Sequence, residues 1–390
     1  MSLPAQPTFV RELSVTPDVA QLTLGLFLAG FAVGQLVAGN LSDALGRRRV
    51  LLAGLAVFTL AGVACAATSS IEFLLAARIV QGLGAASAPV IARAMVRDTQ
   101  PAAGAARMLS TIMAVIALAP MLGPVFGGFL LTRFAWQAIF LTLAGIGVLW
   151  SAMAAFTLPE TLPPERRVPL SIRSTLAGFA QFFRTRGTLI PTLLVCLSFI
   201  GQFAFIADSP FVLIDRFHVP SDVFGLYFST PALALMIGSI SGRRWLLRRS
   251  PTRVVAAGAL TLCAGGVLVA VGVHIPELGR FGLVVPAVVY FFGIGLTTPS
   301  ATAIAMHPVP EIAGTASAVI GSLTMVAGAT SGFFTTRIGG NDPRTLGLVM
   351  GSVGLVAAAV MLITRRIANG NGAANGSNGP ASGSNGPASG

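Results

Sequence analysis

The chain has 390 residues, 54% of them hydrophobic and only 10% charged, against roughly 25% charged in an average soluble domain. That balance excludes a single water-soluble core and predicts an all-α polytopic membrane protein, whose outer surface is apolar as well as its interior. The net charge of +12 does not imply a nucleic-acid partner, because all 25 basic residues are arginines and most sit in short turns between apolar runs.

Runs of about 20 apolar residues, the length a helix needs to cross hydrocarbon, fall near 19–39, 50–69, 73–96, 108–131, 135–157, 188–207, 223–247, 254–273, 281–306, 312–335 and 345–364. They predict eleven transmembrane helices. Strands are a poor rival, since the runs are too long and only helices or closed barrels satisfy every backbone group in lipid. Eighteen arginines gather at one set of helix ends, from Arg47, Arg48 and Arg49 through Arg243, Arg244, Arg248, Arg249 and Arg253 to Arg365 and Arg366, against six at the other. The arginine-rich side is expected to face the cytoplasm of a bacterial inner membrane, and the C-terminus with it.

Residues 1–17, MSLPAQPTFVRELSVTP, hold three prolines, an arginine and a glutamate, and are not expected to span. The stretch LPETLPPERRVPLSIRS reads as a cytoplasmic linker. The expected organisation is a five-helix bundle over 1–157, a linker over 158–187, a six-helix bundle over 188–366 and a disordered Gly/Asn/Ser tail over 367–390, where SNGPASG occurs twice. Five helices before the linker and six after it suggest two pseudo-symmetric bundles of which the first lacks its first helix. An internal echo agrees: G-N-L-S at 39–42 and G-S-I-S at 238–241 each end a span and lead into arginines. Two-half architectures of this kind are common in secondary transporters.

Three motifs follow in order. The turn Gly39, Leu41, Asp43, Gly46, Arg47, Arg48 places glycines where helix ends turn tightly and an aspartate where it can pair with arginines, a candidate latch on a cytoplasmic gate. Asp98 is a further candidate partner for those arginines. A plain basic turn is the bland reading. In the third run, Arg78 lies inside a helix with Gln81 and Gly82 one turn on; a charge there costs ~2.5–3.5 kcal/mol to insert and marks a functional candidate, the alternative being an arginine reaching to the outer interface. The fourth run carries Gly123, Pro124, Gly127 and Gly128, where proline frees a carbonyl and glycines admit a close neighbour.

G-x-L-x-D-x-x-G-R-R resembles the signature turn of the major facilitator superfamily, with Ala44 where the family's pattern has a basic residue. R-x-x-Q-G-x-G resembles its fourth-helix motif, whose arginine is implicated in coupling to protons, and G-P-x-x-G-G its antiporter motif. RAMVRD, ARMLS, LAPMLGPVFGG, FAWQAIF, LPETL, SPFVL, PSATAIAM and AGTASAVIGSL are similar to the bicyclomycin/chloramphenicol-resistance type of drug:proton antiporter. The resemblance covers nearly the whole chain except the tail. In that family a first helix precedes an L-P-A-x-P stretch, here Leu3, Pro4, Ala5 and Pro7, and carries an acidic residue that is absent from these residues.

Asp208, in FAFIADSPFVL before a proline expected to break the helix, is the best remaining proton-site candidate beside Arg78; the bland alternative is a wet interfacial aspartate. Phe27, Phe31, Met113, Phe205, Tyr227 and Tyr290 are candidates for an apolar substrate cavity, though phenylalanines facing lipid are equally expected. Cys65, Cys196 and Cys263 read as small buried hydrophobes, and His218, His274 and His307 are isolated, so no metal site is expected. The expected activity is proton-driven export of small amphipathic drugs by a monomer, with a small-molecule substrate, protons and the lipid bilayer as its partners and no cofactor beyond the proton gradient. The rivals are export of an endogenous metabolite and a truncated membrane protein that does not transport. No nucleotide-binding loop and no nucleophile–base set is present, so neither ATP drive nor an enzyme is expected.

Overall fold

The computed structural model describes residues 1–167, 172–339 and 342–376, apart from the side chains of 102, 103, 105–107, 110, 113–120, 172–175, 333, 334, 336 and 365–376. All regular secondary structure among the described residues is helical, with no strand. A short α1 (Gln6–Glu12) precedes α2 (Pro17–Leu45), α3 (Arg47–Ala66), α4 (Ile71–Ala85), α5 (Ser87–Thr99), α6 (Ala102–Leu131) and α7 (Gln137–Thr157). The amphipathic α8 (Ile172–Arg184) lies in the expected linker. After it come α9 (Leu189–Pro210), α10 (Ser221–Leu246), α11 (Pro251–Gly272), α12 (Phe281–Met306), α13 (Ala313–Gly339) and α14 (Pro343–Gly376).

Among the described residues, ten helices are long and apolar enough to cross a membrane, with α4 and α5 acting as one span broken by a turn at Ala86. The remaining predicted run, 108–131, lies in α6, whose stretch Met121–Leu131 is apolar. Large apolar side chains such as Leu60, Leu149, Phe156 and Leu348 point outward and exposed, as they do where the surroundings are hydrocarbon. Residues 377–390, most of the expected tail, lie outside the described residues; α14 runs on to Gly376, past the expected boundary at 366.

Each half has its own core. In the first, Phe9, Cys65, Leu74, Trp136 and Phe140 are buried together, so the segment before α2 is docked onto the start of α7. Phe9 meets Trp136 edge-on at 5.2 Å between ring centroids, a favoured aromatic geometry. In the second, Phe205, Phe224, Phe228, Leu262, Tyr290 and Phe291 form a larger core. The halves meet along two seams, α2 on α13 and α6 on α10. The helices that carry the sequence echo, α2 and α10, therefore occupy equivalent places, each crossing onto a helix of the opposite half.

Pro210 does not break the chain's helical course. Residues Phe211–Arg216 continue α9 as a π-helical turn. The wider turn suits a residue that has no N–H to return to the preceding turn and a ring that crowds it.

Candidate functional site

Three polar groupings stand out in an otherwise apolar structure: one at the arginine-rich end, one inside the first half, and one on the seam between halves.

The first is the turn between α2 and α3. Gly46 sits between the helices at φ +103° and ψ 150°, a backbone region that essentially only glycine enters. A Cβ there would lie 2.4 Å from Oε2 of Glu160. That carboxylate accepts the backbone N–H groups of Arg47 at 2.9 Å, Arg48 at 3.3 Å and Leu162 at 3.1 Å, and so caps the N-terminus of α3, where negative charge is favoured. Partial burial pushes its carboxyl up, but the N–H groups of Leu162, Arg47, Arg48 and Thr161 outweigh that and hold it below the usual carboxylate range. The Arg47 guanidinium is buried; it bonds Asp43, donates to Asp98 at 3.0 Å and to the Ser42 hydroxyl at 2.7 Å. Arg48 donates to the carbonyl of Ala155. Asp43, Gly46, Arg47, Arg48 and Asp98 are thus brought together, with Glu160 and Ser42 as members that the sequence did not single out. Gly39 lies two turns before Gly46 on α2 beside Val90. Every partner in this network belongs to the first half or to the segment just after it, so it ties one half together rather than bridging the two.

The second grouping surrounds Arg78, which is 4% exposed on α4. It does not reach for the outer interface. Its Nε donates to the carbonyl of Thr23 at 2.9 Å and Nη1 to Oε1 of Gln81 at 2.5 Å, while the guanidinium carbon lies 4.2 Å from the centre of the Phe27 ring. Phe27 packs in turn on Phe31. Gly82 lets α2 approach, since a Cβ would lie 2.1 Å from the carbonyl of Phe27. Among the described residues no carboxylate is within ion-pair distance of Arg78. A cation held by a carbonyl, an amide and an aromatic face is an expensive arrangement in a membrane protein, of the kind found at functional positions.

The third grouping lies on the α2–α13 seam where α9 joins it. Asp208 is 2% exposed, so it is not a wet interfacial residue. Gln21 of α2 donates through Nε2 to Oδ1 of Asp208 at 2.6 Å and to the carbonyl of Ala207 at 3.3 Å. The bond joins the two halves. The space beside it, lined by Gln21, Leu28, Ala207 and Gly332 among others, amounts to about 10 Å³, roughly the minimum that one water needs.

The same end is sealed elsewhere. Asp18 pairs with Arg337 at 3.2 Å and Arg11 with Asp215 at 3.7 Å, both between halves. Ser229 of α10 donates to the carbonyl of Met121 on α6 at 2.9 Å. Gly128 lets α10 begin against α6, since a Cβ would lie 2.1 Å from the carbonyl of Ser221; at Gly127 the corresponding neighbour is the carbonyl of Met1 at 2.0 Å, and Gly123 faces the backbone nitrogen of Met1. Pro124 lies between these glycines in the continuous α6. The motif Gly123, Pro124, Gly127, Gly128 therefore stands at the closed seam.

The aromatic candidates scatter. Phe27 and Phe31 flank Arg78. Phe205 and Tyr290 are fully buried in the second core, where Phe205 packs edge-on against Phe291 at 5.2 Å, so neither lines a cavity in this conformation; both face the packing between helices of one half. The Tyr290 hydroxyl is pressed against Gly201 and has no hydrogen-bond partner among the described residues. Tyr227 sits at the rim, near Arg280 and Phe281. The side chain of Met113 lies outside the described residues.

Residues 1–332 match the model of the Major Facilitator Superfamily. The chain belongs to that superfamily. It is 34% identical over 332 residues to an uncharacterized MFS-type transporter, YdgK, of Bacillus subtilis (strain 168), which covers 84% of this chain and 82% of the relative. It is 30% identical to a bicyclomycin resistance protein homolog of Haemophilus influenzae, over 85% and 83% of the two chains, and 29% identical to multidrug resistance protein D of Escherichia coli (strain K12), over 89% and 87%. The fold matches a partially occluded inward-open xylose transporter, XylE from E. coli, with a TM-score of 0.70 over 92% of each chain at 14% identity. This superfamily member is thus a multi-pass membrane transporter of the bicyclomycin-resistance type, and its membership in a transporter family separates it from enzymes.

Proposed function

We propose that the chain exports small amphipathic, drug-like molecules in exchange for protons, by alternating access between its two halves. The names of its relatives, bicyclomycin resistance and multidrug resistance, support the substrate class. The observation that carries the coupling is the buried Gln21–Asp208 bond across the seam. Moving a charged carboxylate from water into this buried contact costs desolvation. Closing the seam and protonating Asp208 are therefore linked: a proton taken up while the seam is open is enclosed when it shuts. Loss of that proton to the other side destabilises the closed seam and favours reopening with substrate aboard. Asp18 and Arg337 are the nearby charged pair on the facing elements, and their separation accompanies opening.

On this reading the arginine-rich end and the C-terminus face the cytoplasm of a bacterial inner membrane, and the closed seam lies on the outer side. Arg78, with Phe27 and Phe31, marks the wall facing the substrate path. The protein works as a monomer, without a cofactor. The test is transport by the purified protein in liposomes with an imposed pH gradient and a trapped pH indicator. Adding a lipophilic cationic dye should dissipate the gradient as the dye is moved, and an uncoupler should abolish dye movement. Dye movement that persists unchanged in the presence of an uncoupler would overturn the proton-exchange reading.

A further inference from the structure

The echo between the two halves ends in an imbalance. At the turn after α2, Arg47 is met by Asp43 and Asp98, and Glu160 caps the following helix. At the corresponding turn after α10, the sequence GRRWLLRRS contains no acid at all. None of Arg244, Arg248, Arg249 and Arg253 has a carboxylate within ion-pair distance among the described residues. All four arginines line one open cleft of about 720 Å³ between the end of α10 and the start of α11. Four like charges share that cleft with no carboxylate partner among the described residues, an arrangement that favours binding an anion. The N-terminus of the 22-residue α11 opens onto the same place and adds to the attraction.

The apolar side chains beside the arginines decide what kind of anion. Trp245 lines the cleft 45% exposed, and Leu247, set between Arg244 and Arg248, is 84% exposed. A soluble anion gives such side chains nothing to cover them. A phospholipid does both jobs, with its phosphate among the guanidiniums and its acyl chains against Leu247, while tryptophan favours the headgroup level. The cleft lies at the end of two membrane-spanning helices, at that same level.

We propose that this cleft is a binding site for the phosphate group of an anionic phospholipid, held by Arg244, Arg248, Arg249 and Arg253, with Trp245 and Leu247 against the lipid's apolar part. The site takes the place of the missing acids: lipid phosphate does for the second turn what Asp43, Asp98 and Glu160 do for the first. The proposal needs only that the chain spans a membrane, and holds whichever substrate is carried.

The test is native mass spectrometry of the full chain in detergent with phosphatidylglycerol, with phosphatidylcholine, and with phosphatidylglycerol plus excess inorganic phosphate. The wild type should retain phosphatidylglycerol in preference to phosphatidylcholine, and inorganic phosphate should not displace it. The pairs Arg244→Gln/Arg253→Gln and Arg248→Gln/Arg249→Gln should each weaken retention by about thirtyfold. Equal retention of the two lipids, unchanged retention by both pairs, or displacement by inorganic phosphate would each overturn the proposal, the last by revealing a soluble-anion site. Because these arginines also help orient the chain in the membrane, a second measurement uses the wild type alone. A photoreactive phosphatidylglycerol should label residues 244–257; labelling confined to other segments would count against the site.

Discussion

Replacing Gly46 by alanine puts a methyl group where Glu160 now sits. Two costs follow. The backbone at φ +103° is strained for any residue with a Cβ, by about 1–3 kcal/mol. The Cβ would also fall 2.4 Å from Oε2 of Glu160, displacing the carboxylate from the α3 N-terminus, and losing such a cap costs about 0.5–2 kcal/mol. The expected total is about 1.5–5 kcal/mol, seen as a lower thermal unfolding midpoint of the purified protein in detergent. The cap cannot be lost twice, so Gly46→Ala combined with Glu160→Ala should cost less than the two single changes added, by about the worth of the cap. The pH dependence follows from the lowered Glu160 pKa. Its contribution is fully present above the ordinary glutamate value of about 4.3 and is lost as pH falls through its lower value in the folded protein. Glu160→Gln should flatten that acid-side decline. A Gly46→Ala protein that melts with the wild type, or strictly additive costs, would show that Glu160 does not cap α3 through the space beside Gly46.

Two further outcomes are expected elsewhere. Arg78→Lys should fail nearly as badly as Arg78→Ala in dye efflux. A lysine cannot donate to Thr23 and Gln81 together and stack on Phe27, and losing one charged hydrogen bond at about 1.5–3 kcal/mol corresponds to a loss of about tenfold or more; full activity in the lysine variant would show that only charge matters there. Gly128→Ala should force α6 and α10 apart at the closed seam, because the new methyl meets the backbone of Ser221 at about 1–3 kcal/mol. A cysteine placed at Ser229 should then react faster with a water-soluble maleimide, and an unchanged rate would argue against tight closure.

Much of this was legible from residue order. Composition and the long apolar runs dictated a helical membrane protein because lipid leaves few other solutions. The turn at 39–48 was readable because glycine and paired charges have few uses at a membrane boundary. Asp208 was readable as an acid in an apolar run, but not its setting: its partner Gln21 lies 187 residues away, and no local pattern links α2 to α9. Glu160 was hidden for a similar reason, since its role depends on the chain returning to cap α3 after four intervening helices. Two of the aromatic candidates misled, because an aromatic side chain serves cores, lipid and cavities alike. Phe205 and Tyr290 went to the core of the second half. Pro210 misled because a π-helical turn absorbs it, an option that the sequence does not advertise.

In the proposed mechanism Asp208 carries the exchanged proton, and proton release on substrate binding probes this role directly. Purified protein in weakly buffered detergent solution, with a pH indicator, is mixed with a transported dye. The wild type should release protons, and Asp208→Asn, which keeps an acceptor for Gln21 but cannot titrate, should release none while still binding the dye. Equal proton release from both proteins would contradict that role for Asp208.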